Sequence, residues 1–305
     1  MTERFIELSG GEKLFFCVYP AEDEKAVVHI NHGMAEHSKR YENFISFLNK
    51  YGYTVYIQDH PGHGKNAKDG KKGFFKSEDG WLYAIEASHS IDSLIKKEKS
   101  GLKHIVIGHS MGSFITRLCL SYYPEDYDKA VIIGTGYSQG LLSFFGRIIA
   151  RQRIKKYGPD YVDSFMNNMA FSSYSKHFKG EGSNAWLSRD KSEVEKYEND
   201  DFCGFVCTSS FYLDLIELIE NANSIENARK VRKDLSMLIL SGSEDPVGAY
   251  SKGVKKVEKL YKDAGVKDVR CRLYPGARHE ILNETNRSEV YNDILNFLAG
   301  WPDEQ

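Results

Sequence analysis

The amino-acid sequence predicts an α/β fold: a mostly parallel sheet flanked by helices, with an all-helical insertion. Three observations carry that reading. Short, almost wholly apolar runs alternate with segments of helical periodicity, the pattern of strands buried on both faces. Several of these runs end in glycine-rich turns where His, Ser or Asp collects. Between them, residues 137–231 carry helical patterns and no convincing strand, a stretch too long for a simple crossover.

In chain order, Arg4 to Leu8 and Leu14 to Tyr19 flank Ser9-Gly10-Gly11-Glu12 and read as a hairpin. The run Ala26 to Asn31 is a compact strand that stops at His32-Gly33-Met34-Ala35-Glu36-His37. A helix over about Tyr41 to Tyr51 gathers Phe44, Ile45, Phe47 and Leu48 on one side. Tyr53 to Gln58 is the next strand, ending at Asp59-His60-Pro61-Gly62-His63-Gly64, and Gly80 to Lys99 the next helix. His104 to Ile107 then leads into Gly108-His109-Ser110-Met111-Gly112 and a helical pattern from Phe114. Lys129 to Ile133 is a further strand. Within the insertion, Phe144 to Ala150, Arg189 to Asn199 and Phe205 to Ile219 read as helical. The alternation resumes with strands at Leu235 to Leu240 and Val269 to Tyr274, and helices at about Ser251 to Ala264 and Arg287 to Leu298. Residues 1–136 and 232–305 are therefore expected to form one core around a cap of residues 137–231.

Composition narrows the function. The 305 residues are 41% hydrophobic and 13% aromatic, ample for a large packed core. A formal net charge of -2 gives no reason to expect nucleic-acid binding or strong attraction to anionic membranes. Met1 to Phe5 lack the basic start and apolar core of a signal peptide, and no apolar run approaches a membrane span, so a cytoplasmic protein is expected. Cys17, Cys119, Cys203, Cys207 and Cys271 are odd in number and scattered, which suits free thiols. Cys203 and Cys207, four apart, are expected to pack on one helix face and not to hold a metal.

Gly108 to Gly112 matches G-x-S-x-G, a pattern that composition alone supplies about 0.2 times in a chain of this length. Its placement between a strand and a helix is more specific. There the glycines let strand and helix pack around a strained serine whose hydroxyl stands clear of the sheet. A serine nucleophile needs a base, and the base needs an orienting acid, in the chain order serine, acid, histidine. Beyond the serine only His177 and His279 remain, and His279 follows the last strand whereas His177 belongs to the insertion. Asp245 follows the strand Leu235 to Leu240 and is fixed by Pro246; its neighbour Glu244 is the second choice. Two amides are placed to hold an oxyanion, that of Met111 after the serine and that of Met34 in the first glycine turn.

These stretches resemble the monoacylglycerol lipase and lysophospholipase branch of the α/β-hydrolases, also grouped with serine aminopeptidase-type domains. The likeness covers almost the whole chain, through His32 to His37 with Arg40-Tyr41, Asp59 to Gly64, Gly108 to Gly112, Gly242 to Val247 and Arg278-His279-Glu280. It implies the α/β-hydrolase fold, Ser110 as nucleophile, Asp245 as acid, His279 as base, the Met34 and Met111 amides as oxyanion hole, and no metal or organic cofactor. Pro61 stands where the family often has Arg, in a turn read as structural. His32, Glu36, His37 and His63 are expected to hold loops together.

The expected partner is a small acyl ester, monoacylglycerol or lysophospholipid, reached by transient contact with lipid aggregates. The same triad suits a short-chain or aryl carboxylesterase or an aminopeptidase. A non-catalytic ligand-binding relative is the reading from another class. The sequence assigns no oligomeric state.

Overall fold

A computed structural model describes residues 1–67, 70–138 and 140–300. Among them, eight strands form one sheet in the order β1-β2-β4-β3-β5-β6-β7-β8. The hairpin β1 (Thr2–Glu7) and β2 (Lys13–Tyr19) is antiparallel and joins β4 (Tyr53–Gln58) antiparallel. All remaining pairs are parallel, through β3 (Ala26–Asn31), β5 (Lys103–His109), β6 (Lys129–Ile133), β7 (Ser236–Gly242) and β8 (Asp268–Tyr274).

The apolar runs form the centre of the sheet because both of their faces are covered. Ile105, Ile107, Val131, Ile133, Leu238 and Leu240 face α1 (Glu42–Lys50) and α10 (Arg287–Ala299), which contribute Phe44, Ile45, Leu48, Val290, Ile294 and Phe297. The alternate residues Val106, Ala130, Ile132, Met237 and Ile239 face α3 (Met111–Tyr122) and α9 (Lys252–Asp263). On that same side α2 (Gly80–Glu98) covers Phe16, Val18, Val27 and Tyr56. Each fully buried Leu, Ile or Phe contributes about 1.5–3 kcal/mol of transfer free energy, so this double-sided core dominates stability. Glycine-rich turns at the carboxyl ends of the strands are left to carry chemistry.

Between β6 and β7 lie α4 (Leu141–Tyr157), α5 (Ser164–Phe171), α6 (Lys191–Glu198), α7 (Ser209–Ala222) and α8 (Ile225–Lys230). Asp163, Asp190 and Ser224 cap α5, α6 and α8 through side-chain oxygens that accept backbone N–H groups, each cap being worth about 1 kcal/mol. The helix expected from Phe205 begins only at Ser209. Before it, Thr208 donates its N–H and hydroxyl to Gly73 O and pairs with Val162, holding the preceding residues extended. Cys203 and Cys207 therefore share no helix face; all five cysteines are unpaired thiols.

α7 packs against α2 and α3, and α4 stacks on α7. Arg117, fully buried on α3, ties the ends of this stretch together. Its guanidinium donates to Thr135 Oγ1 (3.2 Å) and Gly136 O (3.3 Å) at one end, to Ala222 O (2.6 Å) and Asn223 Oδ1 (2.8 Å) at the other, and to Tyr261 OH (3.1 Å) on α9. Hydrogen bonds to neutral oxygens offset the desolvation of this cation. No described helix is long and apolar enough to cross a membrane.

Candidate active site

Three strand ends meet at Ser110. The serine follows β5 with φ +52° and ψ -119°, a conformation L-residues avoid, and α3 begins at the next residue. Its N–H donates to Ile133 O across the sheet (3.0 Å), which fixes the turn. Gly112 is required here, because a Cβ at that position would collide with the Asn31 and His32 carbonyls of β3 and its loop. The strained turn leaves the Ser110 side chain half-buried and facing open space.

His279, after β8, receives the Ser110 hydroxyl at Nε2 (2.9 Å) and donates Nδ1–H to Asp245 Oδ2 (3.0 Å). Asp245, after β7, is fully buried and oriented by Val247 N–H (2.8 Å) and the Ser241 hydroxyl (3.3 Å). Ser110, His279 and Asp245 are thus brought together in the expected order. Glu244 is not with them: it turns outward and pairs with the exposed His177 at 3.2 Å. Burial alone would draw the His279 pKa down. The Asp245 carboxylate overcomes that by attraction and by its hydrogen bond, with smaller help from Glu280 and Glu36, so the pKa stands above the ordinary histidine value.

Met34 and Met111 both line the space in front of Ser110, and among the described residues neither backbone N–H has an acceptor. The loop that carries Met34 is held by Glu36. Its Oε1 accepts from Gly33 N–H (2.5 Å), Tyr41 OH (2.8 Å) and His109 Nδ1 (3.2 Å), and its Oε2 accepts from Arg40 (2.8 Å). Arg40 also grips Glu280 bidentately at 2.6 and 2.7 Å, joining this loop to the residue after His279. Despite the desolvation penalty, His109 and Arg40 hold the Glu36 carboxyl well below the usual carboxylate range. Gly33 admits no side chain, since a Cβ would press on Glu36 and Ser110. With its N–H committed to Glu36, Gly33 leaves the next amide, that of Met34, as the uncommitted donor.

His32, His60 and His63 cluster beside this loop and serve structure. His60 N–H donates to His32 Nε2 (2.9 Å), His32 Nδ1–H to Gly33 O (2.7 Å) and His63 Nδ1–H to Pro61 O (3.0 Å). His37 donates to Asp200 at 2.9 Å. His29, Asp92 and His104 form a separate buried group under β3 and β5 in which Asp92 also accepts from Tyr127.

Over Ser110 and His279 opens a cavity of about 820 Å³ between the core and the stretch joining β6 to β7. Phe114, Phe145, Ile149, Phe171, Tyr212 and Ile219 supply apolar wall, and Asn167, Asn168, Ser172, Ser175 and Asn184 polar edges. Among the described residues no Lys or Arg lines it, and its only carboxylates are Glu36 and Glu280, both held by Arg40. One contributor had no signal in the sequence. Trp186 accepts His279 N–H at its carbonyl (3.2 Å) and lays its ring 5.1 Å from the imidazole, while Leu187 O accepts Glu280 N–H (2.7 Å). Nothing in its local spacing marks a residue 93 positions from its partner.

Residues 22–286 match the family described as Hydrolase_4: Serine aminopeptidase, S33. The monoglyceride lipase of Mus musculus is 26% identical over 289 residues, covering 94% of this chain and 86% of that protein. The monoacylglycerol lipase of Mycolicibacterium smegmatis is 23% identical over 293 residues, covering 95% and 94%. Among solved structures, a thermostable carboxyl esterase from Bacillus coagulans in complex with glycerol superposes with a TM-score of 0.91 at 25% identity, covering 98% of each chain.

Proposed function

Because the chain belongs to the serine aminopeptidase S33 family of α/β-hydrolases, we propose that it is a serine carboxylester hydrolase whose substrates are monoacylglycerols. The observation that carries this reading is the unbroken line from Ser110 Oγ through His279 to Asp245, opening on a cavity with a long apolar wall. The relatives named monoglyceride or monoacylglycerol lipase support the same substrate class.

In the proposed reaction His279 takes the Ser110 proton as the oxygen attacks the ester carbonyl. The Met34 and Met111 amides stabilise the oxyanion, and Asp245 holds the imidazolium. His279 then protonates the leaving alcohol, and water activated by the same imidazole hydrolyses the acyl-enzyme. Trp186, whose carbonyl accepts His279 N–H and whose ring packs 5.1 Å from the imidazole, helps to hold the base in place.

The cavity lining supports one of the expected substrates over the others. An aminopeptidase needs a carboxylate free to meet the substrate ammonium, yet both carboxylates described in the wall are already engaged by Arg40. A lysophospholipid phosphate is best met by Lys or Arg, and among the described residues none lines the wall. A neutral glycerol head among Asn and Ser side chains meets neither objection. Leu141, Leu142, Phe144 and Phe145 at the start of α4 are exposed, two of them at the cavity rim, which suits contact with lipid aggregates.

The test is hydrolysis of monoacylglycerols of graded chain length beside matched lysophospholipids, p-nitrophenyl esters and aminoacyl amides. Monoacylglycerols are expected to give the highest kcat/KM, and Ser110→Ala to abolish turnover with the fold retained. A preference for aminoacyl amides overturns the substrate class, and a Ser110→Ala variant near the wild-type rate overturns the triad.

A further inference from the structure

A second cluster of reactive side chains lies at the edge of the site, where the turn after α6 meets the loop carrying Met34. The Cys203 sulfur, His37 Nε2 and an Asp200 carboxylate oxygen lie within 4.8 Å of one another. His37 is about 160 positions distant in sequence, and its imidazole already donates to Asp200 at 2.9 Å. The Asp200 to Cys203 turn is fixed by Phe202 N–H to Asp200 Oδ1 (2.8 Å) and Cys203 N–H to Asp200 O (2.9 Å). Cys203 and His37 are buried, while the Asp200 side chain is about one-third exposed, giving entry from solvent on one side.

The donor set is one nitrogen, one oxygen and one sulfur. Hard cations such as Mg²⁺ and Ca²⁺ take oxygen sets, whereas imidazole with thiolate selects a borderline-soft ion. Around a tetrahedral zinc with bonds of about 2.0–2.3 Å, ligand atoms stand about 3.3–3.8 Å apart. The imidazole–carboxylate pair must therefore open slightly, and any separation near the 4.8 Å limit must close by about 1 Å. Arg40 is the neighbouring cation, but Glu36 and Glu280 hold it at 2.8 and 2.6 Å. With Asp200 included, these groups leave excess negative charge beside the sulfur.

We propose that His37, Asp200 and Cys203 form a binding site for a divalent cation of the zinc type, clamping the 199–204 turn to the loop that carries Met34. That loop is already touched by the turn, for Gly204 N–H donates to Ala35 O (3.0 Å), and Ala35 holds φ at +51°. Binding forms bonds from the ion to the Cys203 sulfur, the Asp200 carboxylate and His37 Nε2; the thiol proton leaves to solvent and the imidazole proton passes from Nε2 to Nδ1, with no change of oxidation state. Affinity therefore rises by about tenfold per pH unit while the free thiol is protonated.

The experiment titrates Co²⁺ into the chelator-treated full chain under anaerobic conditions. One equivalent is expected to bind with a thiolate-to-cobalt charge-transfer band, and Zn²⁺ to displace it. Cys203→Ser should abolish the band, and His37→Ala should keep the thiolate but weaken binding at least about tenfold. Melting curves of both variants without metal establish that they fold. Absence of the band in the wild type overturns the proposal. So does a band that survives Cys203→Ser, or one that is lost with Cys271→Ser, the half-buried competitor thiol.

Discussion

His279 and the cluster of His32, His60 and His63 are comparably buried and opposite in behaviour. His279 has a carboxylate on one nitrogen and a hydroxyl on the other, and its pKa is raised. His32, His60 and His63 have only neutral partners and one another, with ring centroids 4.3 Å (His32 to His60) and 5.5 Å (His32 to His63) apart; burial followed by mutual repulsion lowers all but His32 on both counts, and His32 chiefly by burial. A proton added to His60 Nδ1 or His63 Nε2 would find no acceptor, since both atoms are buried without a partner. Burial is thus common to both groups, and the carboxylate separates a base from a structural ring.

The largest effect that tests this contrast is His279→Ala, expected to cut kcat by about 10⁴-fold or more on a p-nitrophenyl ester, while His63→Phe stays near the wild-type rate. Comparable losses in both would erase the distinction. Asp245→Asn comes next, expected to lower kcat by about 10³–10⁴-fold with the fold intact. It also moves a pKa. In the wild type the acid limb of kcat/KM is expected above about 6.5, the ordinary histidine value, because His279 must lose its proton to act. With Asp245 neutral, only the smaller attractions of Glu280 and Glu36 oppose burial, and the limb shifts to lower pH. An unmoved limb in the residual activity of Asp245→Asn would assign the raised pKa to another group.

The sheet was legible in the sequence because its central strands are apolar on both faces, a pattern local enough to read without partners. Ser110, Asp245 and His279 were legible because each follows such a strand and their order along the chain is constrained. The start of α7 was not: the aromatic-rich stretch runs without a break from Phe205 into the helix, but the Thr208 bonds to Gly73, 135 positions away, keep its first residues out of it. Trp186 on His279, Arg117 between the ends of the insertion, and His37 beside Cys203 are likewise long-range pairings. Hydrophobic periodicity reports which face is buried, and it carries no record of which polar group lies opposite.

Glu36 sharpens the comparison from the side of the loop that carries Met34, since it is a carboxylate hydrogen-bonded to His109 and to none of His32, His60 and His63. Glu36→Gln keeps the side-chain shape and an acceptor for Gly33 N–H but removes one of the two carboxylates around the buried Arg40. Breaking a buried pair from one side costs about 3 kcal/mol, read as a lower urea midpoint at pH 7. Loss of loop order should lower kcat more than it raises KM, because the role proposed for the Met34 amide is on the oxyanion and not on the bound ester. A variant with wild-type midpoint and kcat would reduce Glu36 to a spectator.

The smallest effect is in acid stability, and its sign follows from the cluster. The His63 pKa falls to about 3 in the fold, against about 6.5 in the unfolded chain. Between those values the unfolded chain binds the proton and the folded one does not, so the stabilisation present above pH 6.5 is lost as pH falls toward 3. Each such histidine contributes a slope of at most about 1.4 kcal/mol per pH unit. His279 has the opposite sign, favouring the fold below 6.5 and losing that contribution as pH rises through its raised pKa. His63→Phe places an apolar ring among Phe75, Phe205 and Phe211 at the loss of one bond to Pro61 O. Urea unfolding between pH 6 and pH 4 should then fall less steeply than in the wild type by up to about 1.4 kcal/mol per pH unit. Parallel curves would mean that His63 keeps a nearly ordinary pKa in the fold, and the division between the two groups of histidines would rest on geometry alone.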